Sequence, residues 1–274
     1  MSDGADPLAA VAGWPVDHAA AAIVGPEGAR ARCGDPARTF RLASISKAIG
    51  AYAVLVAVEE GSLALDEPAG PPGATVRHLL AHAAGYGFEA GAPLLARPGR
   101  QRIYSNQGFD VLAAHLEHAT GIAFADYLAE AVFAPLGMRG ASLRGSIAAR
   151  VHASLDDVER FARELLRPTL VHADTWRAMT TVQFPDLAGV LPGWGRFAPL
   201  PWGLGVEIKG AKNPHWSGHR TSARTFGHFG GSGTFLWVDP ERDLALVVLT
   251  DREFGDWARR CWPALSDAVV AAAV

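Results

Sequence analysis

An excess of basic charge is missing from this chain of 274 residues: 25 Lys and Arg stand against 28 Asp and Glu, a net charge of −3. Nothing in that balance draws the protein to a phosphate backbone, so nucleic acid is not an expected partner. Long apolar runs are missing as well. The longest, Ala48–Val58, has 11 residues, where a bilayer needs roughly 20, so no membrane span is expected. Lys and Arg are absent before Arg30, while Asp3, Asp6 and Asp17 precede it. A secretory signal starts with basic residues, and a cytoplasmic protein is therefore the expectation. Cysteine is rare: Cys33 and Cys261 lie far apart, with no Cys-x-x-Cys or Cys/His finger spacing. Neither a disulfide framework nor a structural zinc site is indicated, and both are expected as small core residues.

Three further absences narrow the chemistry. Gly-x-Ser-x-Gly does not occur, which removes the α/β-hydrolase elbow. The glycines from Gly227 to Gly233 lead into β-type residues instead of a helix, unlike a dinucleotide loop. His78 and His82 are four apart on an apparent helix but lack the intervening glutamate of a zinc protease, so no metal is expected there. His215 and His219, near Arg220 and Arg224, read as a solvated loop, with a metal site or a substrate-binding rim as the alternatives. No cofactor is expected.

What is present is ample for a buried site, since hydrophobic residues make up 49% and charged residues 19% of the chain. Near the N-terminus, His18 to Gly25, a Gly25-Pro26-Glu27-Gly28 turn and Ala29 to Cys33 read as a hairpin. Thr234 to Val238 and Leu244 to Thr250, split by Asp239 to Asp243, read as a second. Between them the period is helical: Phe109, Leu112, Ala113 and Leu116 share a face, and Gly121 supplies a stop. Further helices are expected at Phe124 to Val132, at Leu155 to Leu166 and from about Asp256. Strands at both ends imply one sheet built from both termini, residues 1–60 and 200–274, around a mainly helical insertion at 61–199.

Ser44-Ile45-Ser46-Lys47 opens a run that is apolar on nearly every face through Val58, which reads as a buried helix. Ser44 sits at its N-terminus, where unpaired N–H groups and the helix dipole favour developing negative charge. Lys47 is one turn up on the same face. The plain alternative is that Ser44 only caps the helix. Lysine usage argues otherwise: only three of the 25 basic residues are lysine, and one lies in a desolvated helix. A buried lysine can lose its proton or hold a compact charge beside a nucleophile, which arginine cannot. Tyr104-Ser105-Asn106 precedes the helix through Phe109, at a loop and helix mouth that can hold catalytic side chains; the alternative is a capping Asn106 and a core Tyr104. Phe226-Gly227-His228-Phe229-Gly230-Gly231-Ser232-Gly233 offers a glycine-lined strand edge that can bring a backbone N–H opposite that of Ser44, or is simply a glycine-rich turn.

In the order Ser-x-x-Lys, Tyr-x-Asn, His-x-Gly, these elements make the chain resemble the serine β-lactamase and penicillin-binding-protein superfamily, in its class C β-lactamase-like and esterase branch. Phe40 to Ala43, Leu79 to His82 with Gly85, and Gly230 to Pro240 extend the resemblance. It implies an α/β (α+β) fold, an antiparallel sheet flanked by N- and C-terminal helices with an all-α inserted domain, and an active site at their interface. It also implies Ser44 as acylated nucleophile, Lys47 as its electrostatic partner and relay, and Tyr104 as general base. Asn106, Phe229, Gly230 and Arg224 would hold substrate, and the N–H groups of Ser44 and Gly231 would form an oxyanion hole. His82 would bond backbone near Gly85. His228-Phe229-Gly230 stands where the family has Lys-Thr-Gly, so an ammonium becomes a group mostly neutral at pH 7 and carboxylate recognition weakens; Arg220 or Arg224 is the candidate replacement. The expected activity is acyl-enzyme hydrolysis of a small-molecule ester or amide. A true β-lactamase or D-alanyl peptidase, and a non-catalytic ligand-binding or sensor protein with the same cleft, are the alternatives.

Overall fold

The structure is a computed structural model and describes residues 6–273. A 3-10 turn at Pro7–Gly13 leads into strands β1 (Ala19–Gly25), β2 (Gly28–Cys33) and β3 (Phe40–Arg41), then helices α1 (Ile45–Glu59), α2 (Val76–Leu80) and α3 (Asn106–Thr120). Helix α4 (Phe124–Leu128) continues through a π turn into α5 (Ala134–Leu136), followed by β4 (Ser142–Leu143), β5 (Val151–Ala153), α6 (Leu155–Leu166) and α7 (Ala173–Met179). A hairpin of β6 (Gly189–Leu191) and β7 (Gly195–Phe197) precedes β8 (Glu207–Ile208), β9 (Phe226–Gly230), β10 (Thr234–Asp239), β11 (Leu244–Thr250) and α8 (Asp256–Ala272).

The main sheet runs β2-β1-β11-β10-β9-β8, antiparallel throughout, and β1 from the N-terminal hairpin pairs with β11 from the C-terminal one. Both faces are covered, which the period-2 alternation of side chains makes necessary. Ala20, Ala22, Val24, Leu236, Val238, Val247 and Leu249 point to the side where α1 and α6 bury their apolar faces. Ala21, Ile23, Phe235, Trp237, Leu246 and Val248 point to the other, where α8 brings Trp257, Trp262 and Leu265, and the 3-10 turn brings Leu8 and Val11. The result is the mixed helix–sheet–helix architecture expected from the sequence. The long connection between the two hairpins also carries the short strands β4 to β7, and α6 within it lies against β1 and β11.

Local chemistry sets the ends of the elements that matter for the site. Ser105 caps α3 by accepting from the Gly108 N–H at 2.9 Å, and Gly121 ends it with φ +72°, a left-handed conformation that glycine adopts without strain. Helix α2 stops at Leu80, and His82 lies beyond it at φ +54°; His78 and His82 are therefore not on one helical face. The cysteines are not core residues. Cys33 is half-buried because β2 is the edge strand with only one covered face, and Cys261 is half-buried on α8 at the margin of the tryptophan-rich layer. Among the described residues, no single helix is long and apolar enough to cross a membrane.

Candidate active site

Helix α1 is buried around its whole circumference, so its first turn is held at the molecular centre with Lys47 at 0% exposure. The turn is entered through Ala43 at φ +47°, a conformation costly for a residue with a Cβ. Ser44 does not cap the helix: its side chain makes no capping bond, which removes the plain reading of this serine. Its Oγ lies 3.4 Å from Lys47 Nζ, which also donates to Asn106 Oδ1 at 2.6 Å and to the Ala148 carbonyl at 2.8 Å. Burial lowers the lysine from its ordinary value to about 7, with only partial compensation from Asp110 and Glu89. Close to neutrality the amine is present in both protonation states.

Tyr104 enters from the strand-like segment before α3, with Lys47 Nζ 4.7 Å from its ring centroid. Burial pushes its phenol well above the usual range, and a hydrogen bond with Ser44 pulls the other way. Asn106, expected to touch substrate, is instead turned toward Lys47 as an acceptor and does not line the cleft. Nor does it cap α3, a task that falls to Ser105. His82 does not bond backbone near Gly85; its Nδ1 accepts the Ser105 N–H at 3.2 Å, and its ring packs on Tyr104 and Phe109 at 4.6 and 5.2 Å between centroids.

The opposite wall is the edge of β9. Strand β8 is only two residues long and pairs with Phe226 and Gly227, which leaves that side of His228 to Gly230 open to the cleft. Gly230 is required for the approach: a Cβ there would sit 2.4 Å from the Leu42 carbonyl and 2.5 Å from Thr234 Oγ1. This contact sets β9 against the segment leading into Ser44. Among the described residues, neither the Ser44 N–H nor the Gly231 N–H donates to a backbone carbonyl. His228 is buried and lowered to about 3, first by burial and then by the charge of Lys47. Its Nδ1 lies 2.8 Å from the Phe229 carbonyl, which can only accept, so Nδ1 carries the proton and Nε2 is a bare acceptor without a partner.

These groups meet in one cleft of about 340 Å³ lined by Ser44, Tyr104, His228, Phe229 and Gly231. Arg224 and Arg220 do not line it. Arg224 is exposed in the turn closed by the Thr225 N–H on the Ser222 carbonyl, ahead of β9, and Arg220 is exposed in a loop tied to Asp267 through its backbone. The cation at the cleft is Arg259 of α8, with its guanidinium 5.8 Å from the Phe254 ring centroid and 3.6 Å from Asp256. Sequence reasoning also missed Trp202, the 191–193 turn and Glu207. Glu207 accepts from Lys212 at 2.6 Å, His215 at 2.9 Å and Trp216 at 2.7 Å, all buried. His215 is thus a buried partner of a carboxylate and not part of a solvated loop. Among the described residues, no cluster of three or more His, Cys, Asp or Glu side chains could hold a metal ion.

A serine at a helix N-terminus, a desolvated lysine one turn on and a glycine-lined strand edge thus meet at a cleft between a sheet and a helical layer. The β-lactamase family model matches residues 29–269, and the chain belongs to that family. A β-lactamase from Mycobacterium bovis is similar over 98% of this chain and 99% of its own, at 54% identity and a TM-score of 0.96. Penicillin-binding protein 4* of Bacillus subtilis is 28% identical over 131 residues, and esterase EstB of Burkholderia gladioli 34% identical over 146. Those two matches cover 36% of this chain, and 29% and 37% of the relatives' own lengths.

Proposed function

We propose that this protein hydrolyses small esters or amides through an acyl-enzyme on Ser44, with Lys47 as the base. The observation that carries the reading is Lys47: fully buried, 3.4 Å from the serine oxygen and lowered to about 7. As Ser44 Oγ attacks the carbonyl carbon, neutral Lys47 takes its proton, and the oxyanion is received by the N–H groups of Ser44 and Gly231. Each such donor is worth about 3 to 4 kcal/mol in the transition state. The proton passes by way of the Tyr104 hydroxyl to the leaving oxygen or nitrogen, whose bond to carbon breaks. Water then enters, gives its proton to the same base, and frees the acid and Ser44. Tyr104 serves as a relay and not as the starting base, because its burial disfavours the phenolate.

Neutrality of the inner cleft favours esters over β-lactams. His228 is uncharged near neutrality, and the Glu207 carboxylate is balanced by Lys212, so no free cation awaits a substrate carboxylate beside the oxyanion site. A second reading, β-lactam hydrolysis, is favoured by the 54% identical relative described as a β-lactamase, with Arg259 at the rim as the carboxylate partner. The test has two parts. A fluorophosphonate should add covalently to Ser44 in the folded protein and not to Ser44→Ala; no adduct would return the protein to a binding role. Turnover of p-nitrophenyl acetate should exceed that of a chromogenic cephalosporin, and the reverse order, abolished by Arg259→Ala, would establish the second reading.

A further inference from the structure

We infer that the alcohol portion of the substrate is a bulky apolar group seated in a groove beside the cleft, an inference that rests on the serine-hydrolase reading above. Five large hydrophobic side chains are exposed among the described residues, and three of them, Phe88, Leu95 and Val190, gather at one place. Phe88, Leu95 and Val190 line a groove of about 440 Å³ that shares Phe88, Tyr104 and Pro192 with the catalytic cleft. Apolar surface concentrated in this way marks a binding site, and its continuity with the cleft names the occupant as part of the substrate.

Both walls are built and fixed. Asn106 N–H donates to the Phe88 carbonyl at 2.8 Å and Ser105 Oγ to the Gly87 carbonyl at 2.6 Å, which ties the 86–95 segment to the start of α3. On the other side the β6–β7 hairpin docks on the chain at Arg102, whose N–H donates to the Ala188 carbonyl at 2.9 Å. Arg102 contributes no charge to the groove: it is 1% exposed and its guanidinium is spent on the carbonyls of Ala81, Gln183, Phe184 and Leu200. A charged leaving group would find no partner there.

Direction follows from the proton. The leaving oxygen must lie within reach of Tyr104, and Tyr104 stands on the wall shared with the groove, its ring stacked on Phe88 at 5.8 Å. Ser44, His228, Phe229 and Gly231 line the cleft and not the groove. The departing alcohol therefore exits past Tyr104 into the groove, and the acyl chain lies toward Phe229 and Phe254.

The test compares two ester series by pH-stat: acetates of methyl, butyl, hexyl and naphthyl alcohols, and methyl esters of acetic, butyric and hexanoic acids. The value of kcat/KM should climb along the alcohol series, by up to about fourfold per buried methylene, and more steeply than along the acyl series. The hexyl-to-methyl ratio should fall at least fivefold in Leu95→Ser and Val190→Ser, both exposed positions that tolerate a polar side chain. A climb along the acyl series alone, a flat alcohol series, or a ratio unmoved by both substitutions would overturn the inference. Fluorophosphonate labelling of Ser44 separates the two levels: with labelling intact and the series flat, only the groove assignment fails, whereas loss of labelling removes the reading beneath it as well.

Discussion

The chemistry of the cleft turns on how one amine is solvated. Lys47 is deprived of water on all sides, its direct acceptors, Asn106 Oδ1 and the Ala148 carbonyl, are neutral, and the charges of Asp110 and Glu89 compensate only in part, which is why its proton is loosely held. A base must be neutral to act, so kcat/KM for an activated ester should rise with pH through about 7 and level off above it. Asn106→Asp replaces the 2.6 Å neutral acceptor with a carboxylate, which stabilises the ammonium; the rising limb should move up by roughly 1 to 3 pH units. Lys47→Met, which keeps much of the volume, should lower the rate of Ser44 labelling by about 10² to 10⁴-fold while leaving the circular dichroism spectrum unchanged. A limb that stays in place in Asn106→Asp, or rapid labelling of Lys47→Met, would take the base role away from this residue.

At the scale of elements, the oxyanion site depends on the gap between the start of α1 and the edge of β9. Gly230 sets that gap, because a Cβ would strike the Leu42 carbonyl, Thr234 Oγ1 and, at 3.0 Å, Ala43 Cβ. Gly230→Ala should push β9 away from Ser44 and cost about 10² to 10³ in kcat with little change in KM; an equal rise in KM would mean that the strand binds substrate and does not stabilise the oxyanion. The hairpins and α1 were legible in the sequence because their signals are local: period-2 apolar runs around turn residues, and an apolar stretch interrupted by a single lysine. Ser44, Tyr104, His228 and Gly231 were legible as residues of one cleft, with Lys47 behind Ser44, through the scarcity and order of their motifs. Strand β8, the β6–β7 hairpin and the Glu207 cluster were not, since their two or three residues carry no periodicity and their partners are distant in the chain. Arg259 was hidden for a related reason: it sits on an ordinary amphipathic helix, and only the packing of α8 beneath β9 brings it to the rim, whereas Arg220 and Arg224 looked closer in sequence than they are in space.

Across the whole molecule, the site is assembled from groups buried in the forms they hold near neutral pH, and this makes the fold sensitive to acid. His228 is lowered to about 3, His82 and His215 are also lowered, and Glu207 is lowered to about 2. For each, the folded-state pKa lies below the unfolded one, so the unfolded chain binds more protons as pH falls. The stability contributed by His228 is complete above about 6.5 and is lost progressively down to about 3. Glu207 loses its contribution lower, between about 4.5 and 2. Lys47 acts in a separate window: between 10.5 and about 7 its unfolded form holds the extra proton, so acidification through that range also costs stability. Urea unfolding at pH 7, 5.5 and 4 should therefore show a steady fall in the free energy of unfolding, with His228 alone contributing on the order of 3 kcal/mol at 1.36 kcal/mol per pKa unit. His228→Asn keeps a polar side chain of similar reach but does not titrate, and its loss between pH 7 and 4 should be smaller by that amount. If wild type and variant lose stability in parallel, the imidazole is not held neutral by the fold, and the uncharged cleft floor on which the preference for esters rests would have to be given up with it.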